Sequence, residues 1–89
     1  MAEKIFEELK NLARLEEIAN QAEANYDRDL EDEDYERAYD LAYENEYNSF
    51  MKAATMLSDY IGVDIATARA MINWKRSEVI DILKRGRKK

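Results

Sequence analysis

Apolar residues recur along this chain at intervals of three and four, the spacing that lines one face of an α-helix. Ile5, Leu9, Leu12, Leu15, Ala19, Ala22 and Tyr26 form a first stripe and predict a helix from about Glu3 to Asn25. Residues 27–34 interrupt the pattern with an almost unbroken charged run, which reads as a turn leading into a helix start. Asp32 or Asp29 supplies the N-cap there, and the neighbouring carboxylates suit the positive end of the helix dipole. A second stripe holds Tyr35, Ala38, Tyr39, Ala42, Tyr43, Phe50, Ala53, Met56, Leu57, Tyr60 and Ile61, and predicts a long helix from Glu33 to Tyr60 or Ile61. Gly62 suits the left-handed position that ends it. Asp64 then caps a third helix with Ile65, Ala68, Ile72, Val79 and Leu83 on one side. The alternative is a break after Trp74, with Ser77 and Glu78 restarting a separate short helix. Gly86 stops the chain's last helix, and Arg87, Lys88 and Lys89 form a basic tail.

These elements predict an all-α fold. Two short connections give an up-down-up three-helix bundle. The second helix, at about 1.5 Å per residue, is roughly 40 Å long, whereas a compact chain of this size has a radius of gyration near 12 Å. The bundle is therefore elongated. Residues 1–86 make one helical domain, and a homodimer is the natural way to cover its leftover surface. The absence of proline and the presence of only two glycines agree with helix throughout.

Charge alters the picture more than composition does. Residues 1–64 hold six basic and eighteen acidic side chains, a net charge of −12. Residues 65–89 hold eight basic and two acidic ones, a net charge of +6. An acidic body thus carries a basic C-terminal end. In an up-down-up bundle the end of helix three lies beside the 27–34 turn, so the two are expected to form a clasp, within one molecule or across a dimer.

Chemistry is limited by what the chain lacks. Without cysteine or histidine it has no disulfide, no thiolate ligand, no thiol nucleophile and no imidazole base. An EF-hand begun at Asp27 fails, since Asp32 stands where glycine is needed and Ala38 where the bidentate glutamate belongs. No phosphate-cradling glycine loop or nucleophile elbow is present. The sequence predicts no enzyme, no cofactor and no bound metal. It contains no apolar run that would span a membrane, and its first residues do not read as a signal peptide. A soluble cytoplasmic protein is the expectation.

Candidate contacts remain. Tyr35, Tyr39, Tyr43 and Tyr47 follow one another at four-residue steps. They read as a ridge packed on a neighbouring helix, because the interleaved residues are acidic rather than the Lys and Arg that base stacking needs. Trp74 falls opposite the stripe of helix three, and Tyr47 and Met51 widen the apolar face of helix two. These three read either as filling the edge of the bundle or as anchors of an oligomer or partner interface, the latter beside an acidic face of Asp32, Glu33, Asp34, Glu36, Asp40 and Glu44. Glu46 sits within the apolar face of helix two, level with Arg76, and the two are expected to pair and fix register; Glu16 intrudes on helix one in the same way. Arg85, Arg87, Lys88 and Lys89 are the candidate contacts to nucleic-acid phosphate, though a pI near 4.7 opposes that use.

The segment 62–72, Gly-Val-Asp-Ile-Ala-Thr-Ala-Arg-Ala-Met-Ile, together with the acidic Tyr- and Ala-rich stretch 38–44, resembles small uncharacterised helical proteins of Gram-positive bacterial phages and integrative elements. The resemblance implies a genetic context and no activity or functional residues. It points to an accessory regulator or host-factor inhibitor. The resulting expectation is a non-enzymatic protein that binds a protein partner. The alternatives are a nucleic-acid accessory factor using the basic end, and an acidic mimic of nucleic acid.

Overall fold

The computed structural model describes residues 2–87, with side chains through Gly86. Four helices follow in order: α1 (Ala2–Arg28), α2 (Glu33–Ile61), α3 (Ile65–Trp74) and α4 (Arg76–Arg87). The chain is all-α, and no strand occurs among the described residues. α1 runs three residues past its expected end, so the acidic turn proper is only 29–32. Lys88 and Lys89, two residues of the expected basic tail, lie outside the described residues.

Local chemistry accounts for the helix ends. Asp32 caps α2, its carboxylate accepting the backbone N–H of Asp34 at 2.9 Å and of Tyr35 at 3.3 Å. Glu33, Asp34 and Glu36 fill the first turn, where negative charge is favoured. Gly62 ends α2 at φ 73°, ψ 37°, the left-handed conformation that a Cβ disfavours. Ser58 completes this stop: its carbonyl accepts from the N–H of Gly62 and Val63, and its hydroxyl donates to the Val63 carbonyl. Asp64 caps α3 by accepting the Thr67 N–H at 2.9 Å. Hydrogen bonds from Thr67, side chain and then backbone, hold the Asp64 carboxyl below the usual carboxylate range.

The expected three-helix bundle is replaced by four helices, because the third element breaks at Lys75 (φ −135°, ψ 38°). Each helix touches two neighbours in a ring: α1 with α2, α2 with α3, α3 with α4, and α4 with α1. α3 climbs along α2, and α4 turns back down along α1. Gly86 therefore ends up beside Ala2 and Tyr60, at the end of the molecule where the hairpin of α1 and α2 is open.

The reason for the break lies on α1. Its α4-facing line of Phe6, Leu9 and Ala13 continues at helical spacing as Glu16, Asn20 and Glu23. A straight third helix would press Val79 and Leu83 against those carboxylates and leave Ile5 and Leu9 uncovered. Folded back, Val79 and Leu83 are 0% exposed and join Ile5, Leu9, Leu12, Leu57, Ala68 and Ile72 in one core. Fully burying each large aliphatic side chain contributes about 1.5–3 kcal/mol, which outweighs the helical hydrogen bonds interrupted at the corner. Ile65, expected on the buried stripe, is 43% exposed.

This core fills only half of the molecule. The radius of gyration is 15.2 Å and the extents are 51 × 23 × 18 Å, so the expected elongation is present. Four helices form a head at one end. Beyond the corner, α1 and α2 continue alone as a two-helix arm over residues 15–48, sealed by Ala19, Ala22 and Ala42 with Tyr39 packed against them.

Gly86 does not stop the last helix, which continues through it to Arg87. Its role is close approach, since a Cβ there would strike the Tyr60 hydroxyl. Replacing Gly86 with Ala in an otherwise unchanged chain is expected to forfeit the roughly 1 kcal/mol that Gly→Ala ordinarily gives inside a helix. In a Tyr60→Phe background the gain returns. Gly62→Ala meets no neighbour within 4 Å and costs about 1 kcal/mol through backbone strain alone. Urea unfolding of the parent, the Tyr60→Phe background and the three glycine variants measures both effects.

Candidate interaction surface

The arm concentrates the charge of the whole chain. Residues 15–48 hold thirteen acidic and two basic side chains, a net charge of −11. Residues 2–14 and 49–86 hold nine basic and seven acidic ones, a net charge of +2. The split that runs along the sequence is thus a split along the long axis of the molecule.

Helix geometry sorts the expected interface residues. At 100° per residue, Glu33, Glu36, Asp40, Glu44, Tyr47 and Met51 share one stripe of α2, and Asp34 falls about a third of a turn away. Glu36, Asp40 and Glu44 are exposed, Tyr47 is 57% exposed and Met51 is half-buried. Asp32 is engaged as the α2 cap, and Glu33 lies 3.8 Å from Arg37 in a solvated pair. Such exposed pairs contribute little, so the stripe keeps its negative potential.

The tyrosine ridge divides. Tyr39 turns inward onto the alanine seam, with its ring 5.2 Å from Tyr26 and 4.7 Å from Tyr43. Tyr43 (39% exposed) donates its hydroxyl to Glu23 across the arm at 3.3 Å. Partial burial, followed by the Glu23 carboxylate, pushes the Tyr43 phenol up to about 12. Tyr35 stands at 36% exposure. The ridge is therefore seam on one side and open aromatic surface on the other.

Trp74 is 84% exposed on the corner between α3 and α4. Its neighbour Asn73 closes a cleft of about 160 Å³ together with Tyr43, Glu46, Tyr47 and Phe50. Trp74 and Tyr47 thus lie on either side of the junction between arm and head.

The expected Glu46–Arg76 pair is corrected. Arg76 binds Glu16 instead, in a bidentate contact at 2.5 and 3.1 Å, while its Nε donates to the Ile72 carbonyl at 3.0 Å. The reversal of α4 explains the change, for it seats Arg76 over α1 rather than α2. Glu46 stays nearby without a direct bond. Burial, and then the Glu16 carboxylate, push the Glu46 carboxyl above its usual range, with Arg76 opposing.

The expected clasp between the basic end and the acidic turn does not form within the molecule. α4 ends beside Ala2 and Tyr60, in the head, and the acidic turn is the tip of the arm. Of the candidate phosphate contacts, Arg85 is exposed and its Nε donates to the Asp81 carbonyl at 3.4 Å. The Arg87 side chain, Lys88 and Lys89 lie outside the described residues.

One polar cluster gave no warning in the sequence. Ser49 is 4% exposed between α1 and α2; it donates to Glu8 at 3.2 Å and accepts from Asn11 at 3.4 Å. Arg14 in turn donates to Asn11 at 2.8 Å. A small serine within an apolar stripe carries no sequence signal beyond its polarity. Among the described residues, no group of three or more carboxylates is placed to hold a metal ion, and no helix is long and apolar enough to cross a membrane.

A double-mutant cycle of Glu16→Gln and Arg76→Met tests the corner. Arg76→Met is expected to cost about 1–3 kcal/mol, because Glu16 loses its partner, and additive single effects would dispose of the pair. Glu46 makes a separate, signed prediction. Its raised folded-state value means that its favourable contribution is full below the ordinary 4.5 and is lost as pH rises through the raised value. Glu46→Gln is therefore expected to melt higher than the parent at pH 7, with the difference closing near pH 4.

The chain matches no family model, no curated protein and no solved structure, and its functional reading rests on the shape and charge of the arm.

Proposed function

We propose that this is a small non-enzymatic interaction protein whose acidic arm binds a cationic surface on a protein partner. The observation that carries the reading is the arm itself: two helices with a net charge of −11 and an open row of tyrosines, projecting from a head of opposite sign. A carboxylate stripe on helices joined through a packed head is preorganised, and charge complementarity on such a surface favours fast, selective association. Tyr47, Met51 and Trp74 supply the apolar anchors at its base. Exposed aromatic residues of this kind tend to carry most of an interface's energy. The lack of cysteine, histidine and glycine-rich loops supports binding over catalysis. The resemblance of residues 38–44 and 62–72 to phage and mobile-element proteins supports an accessory or regulatory role.

Paired capture from the native host tests this. The parent chain and a Glu36→Gln/Asp40→Asn/Glu44→Gln variant are immobilised side by side, and bound proteins are quantified by mass spectrometry. A protein held by the parent and reduced at least tenfold on the variant, in a salt-sensitive manner, is the expected result. Equal retention on both would overturn the arm as the binding surface. Random duplex DNA at low and moderate salt serves as the contrast. Binding that vanishes when residues 85–89 are removed would replace this reading with contact to nucleic acid through the basic end.

A further inference from the structure

The open face of the arm lies in line with the layer made by α3 and α4. On that layer the hairpin of α1 and α2 is covered; beyond the corner the same face is bare. Tyr43 and Tyr47 stand exposed there on α2, and Glu23 lies opposite them on α1. The outward face of the layer has the complementary character. At helical spacing, Ala66, Ala70 and Trp74 point away from the core set of Ala68 and Ile72. Arg69, Lys75, Lys84 and Arg85 are exposed on this layer, and so are Glu78 and Asp81. Residues 65–86 hold five basic and two acidic side chains, a net charge of +3.

Dimensions match as well. α3 and α4, of ten and twelve residues, are about 15 and 18 Å long, and the arm beyond Arg14 is about 20 Å long. A layer from one molecule fits the bare face of another. Because the arm and the layer occupy different halves of a 51 Å rod, two antiparallel rods can make this contact twice around one two-fold axis. Each footprint is about 20 Å by the 23 Å breadth of the molecule. Two of them cover on the order of 800 Å² per protomer, the size of a standard specific interface.

Charge selects this arrangement among the symmetric ones. An isologous contact of arm on arm sets −11 against −11, and like charges juxtaposed across an interface cost several kcal/mol. Head on head leaves both tyrosine faces bare. Only arm on layer sets opposite charges together, and it brings the corner, with its 84% exposed tryptophan, to the axis.

We propose that the chain forms an antiparallel homodimer in which the α3–α4 layer of each protomer covers the tyrosine face of the other's arm, with Trp74 near the two-fold axis. The proposal rests on the reading of Tyr47 and Trp74 as interface anchors and assigns these two to a second copy of the chain, so that the protein partner is held by the remaining carboxylates of the arm. The dimer covers Asp40, about 20° from Tyr47 on α2, and leaves Glu33 and Glu44, toward the far edge of that stripe, open to a further partner.

Trp74 is the one tryptophan in the chain, so its emission reports this interface directly. Sedimentation velocity and fluorescence are measured together over a range from 1 to 500 µM (on the order of typical dimer constants), at low and high salt. The expected result is a dimer with blue-shifted Trp74 emission, weakened at least tenfold by high salt and at least tenfold by Tyr47→Ala or Trp74→Ala. Carbodiimide coupling in a mixture of isotopically light and heavy chains is expected to join Lys75 or Lys84 of one chain to arm carboxylates of another. A monomer at the highest concentration overturns the proposal. So does a dimer with solvent-like Trp74 emission, or one whose two substitutions leave the association constant unchanged. Circular dichroism of each variant separates lost association from lost folding. A monomer that still captures a host protein through its carboxylates sinks the dimer and leaves the proposed function standing.

Discussion

The corner at Lys75 and Arg76 decides the shape of this molecule. There one guanidinium takes the place of a helical turn: it donates to the Ile72 carbonyl at the end of α3 and grips Glu16 on α1. The acceptor on α1 fixes the direction of the reversal, and burial of Val79 and Leu83 in the core stabilises it. Every larger feature follows from it, including the closed ring of four helices, the head at one end and the bare hairpin at the other. The pair is only partly shielded from water, with side-chain exposures of 28% and 34%, so its worth lies in direction more than in strength.

Much of this architecture was legible in the residues. The stripes from Ile5 to Tyr26 and from Tyr35 to Ile61 gave both long helices, and Asp32, Gly62 and Asp64 marked their ends through capping chemistry that depends on adjacent residues alone. The break was not legible in the same way. No proline or glycine occurs between Asp64 and Lys84, and the stripe of Ile65, Ala68, Ile72, Val79 and Leu83 keeps helical register straight through Lys75. What breaks the helix is a different segment, the change on α1 from Leu9 and Ala13 to Glu16 and Glu23. A tertiary cause of that kind leaves only Ser77 and Glu78 as a local trace.

The same distinction runs through the candidate surface. The acidic stripe of Glu36, Asp40 and Glu44 and the outward position of Trp74 follow from helical spacing, which a sequence displays. The partner of Arg76 and the place of the basic end depend on which way α4 runs. A helix that climbs pairs Arg76 with Glu46 and brings Lys84 to the acidic tip; one that descends pairs Arg76 with Glu16 and leaves Lys84 in the head. One reversed direction thus accounts for both errors.

The seam of the arm has a mechanical consequence. Ala19, Ala22 and Ala42 let α1 and α2 approach closely, yet they bury little apolar area, so the arm holds its line mainly because both helices are rooted in the head. Its length sets how strongly the geometry of the Arg76 corner is magnified at the tip. Over an arm of about 20 Å, a tilt of about 10° at that corner displaces the acidic tip by roughly 3–4 Å. The position of the charged end is thus set by how the aliphatic side chains pack in the head.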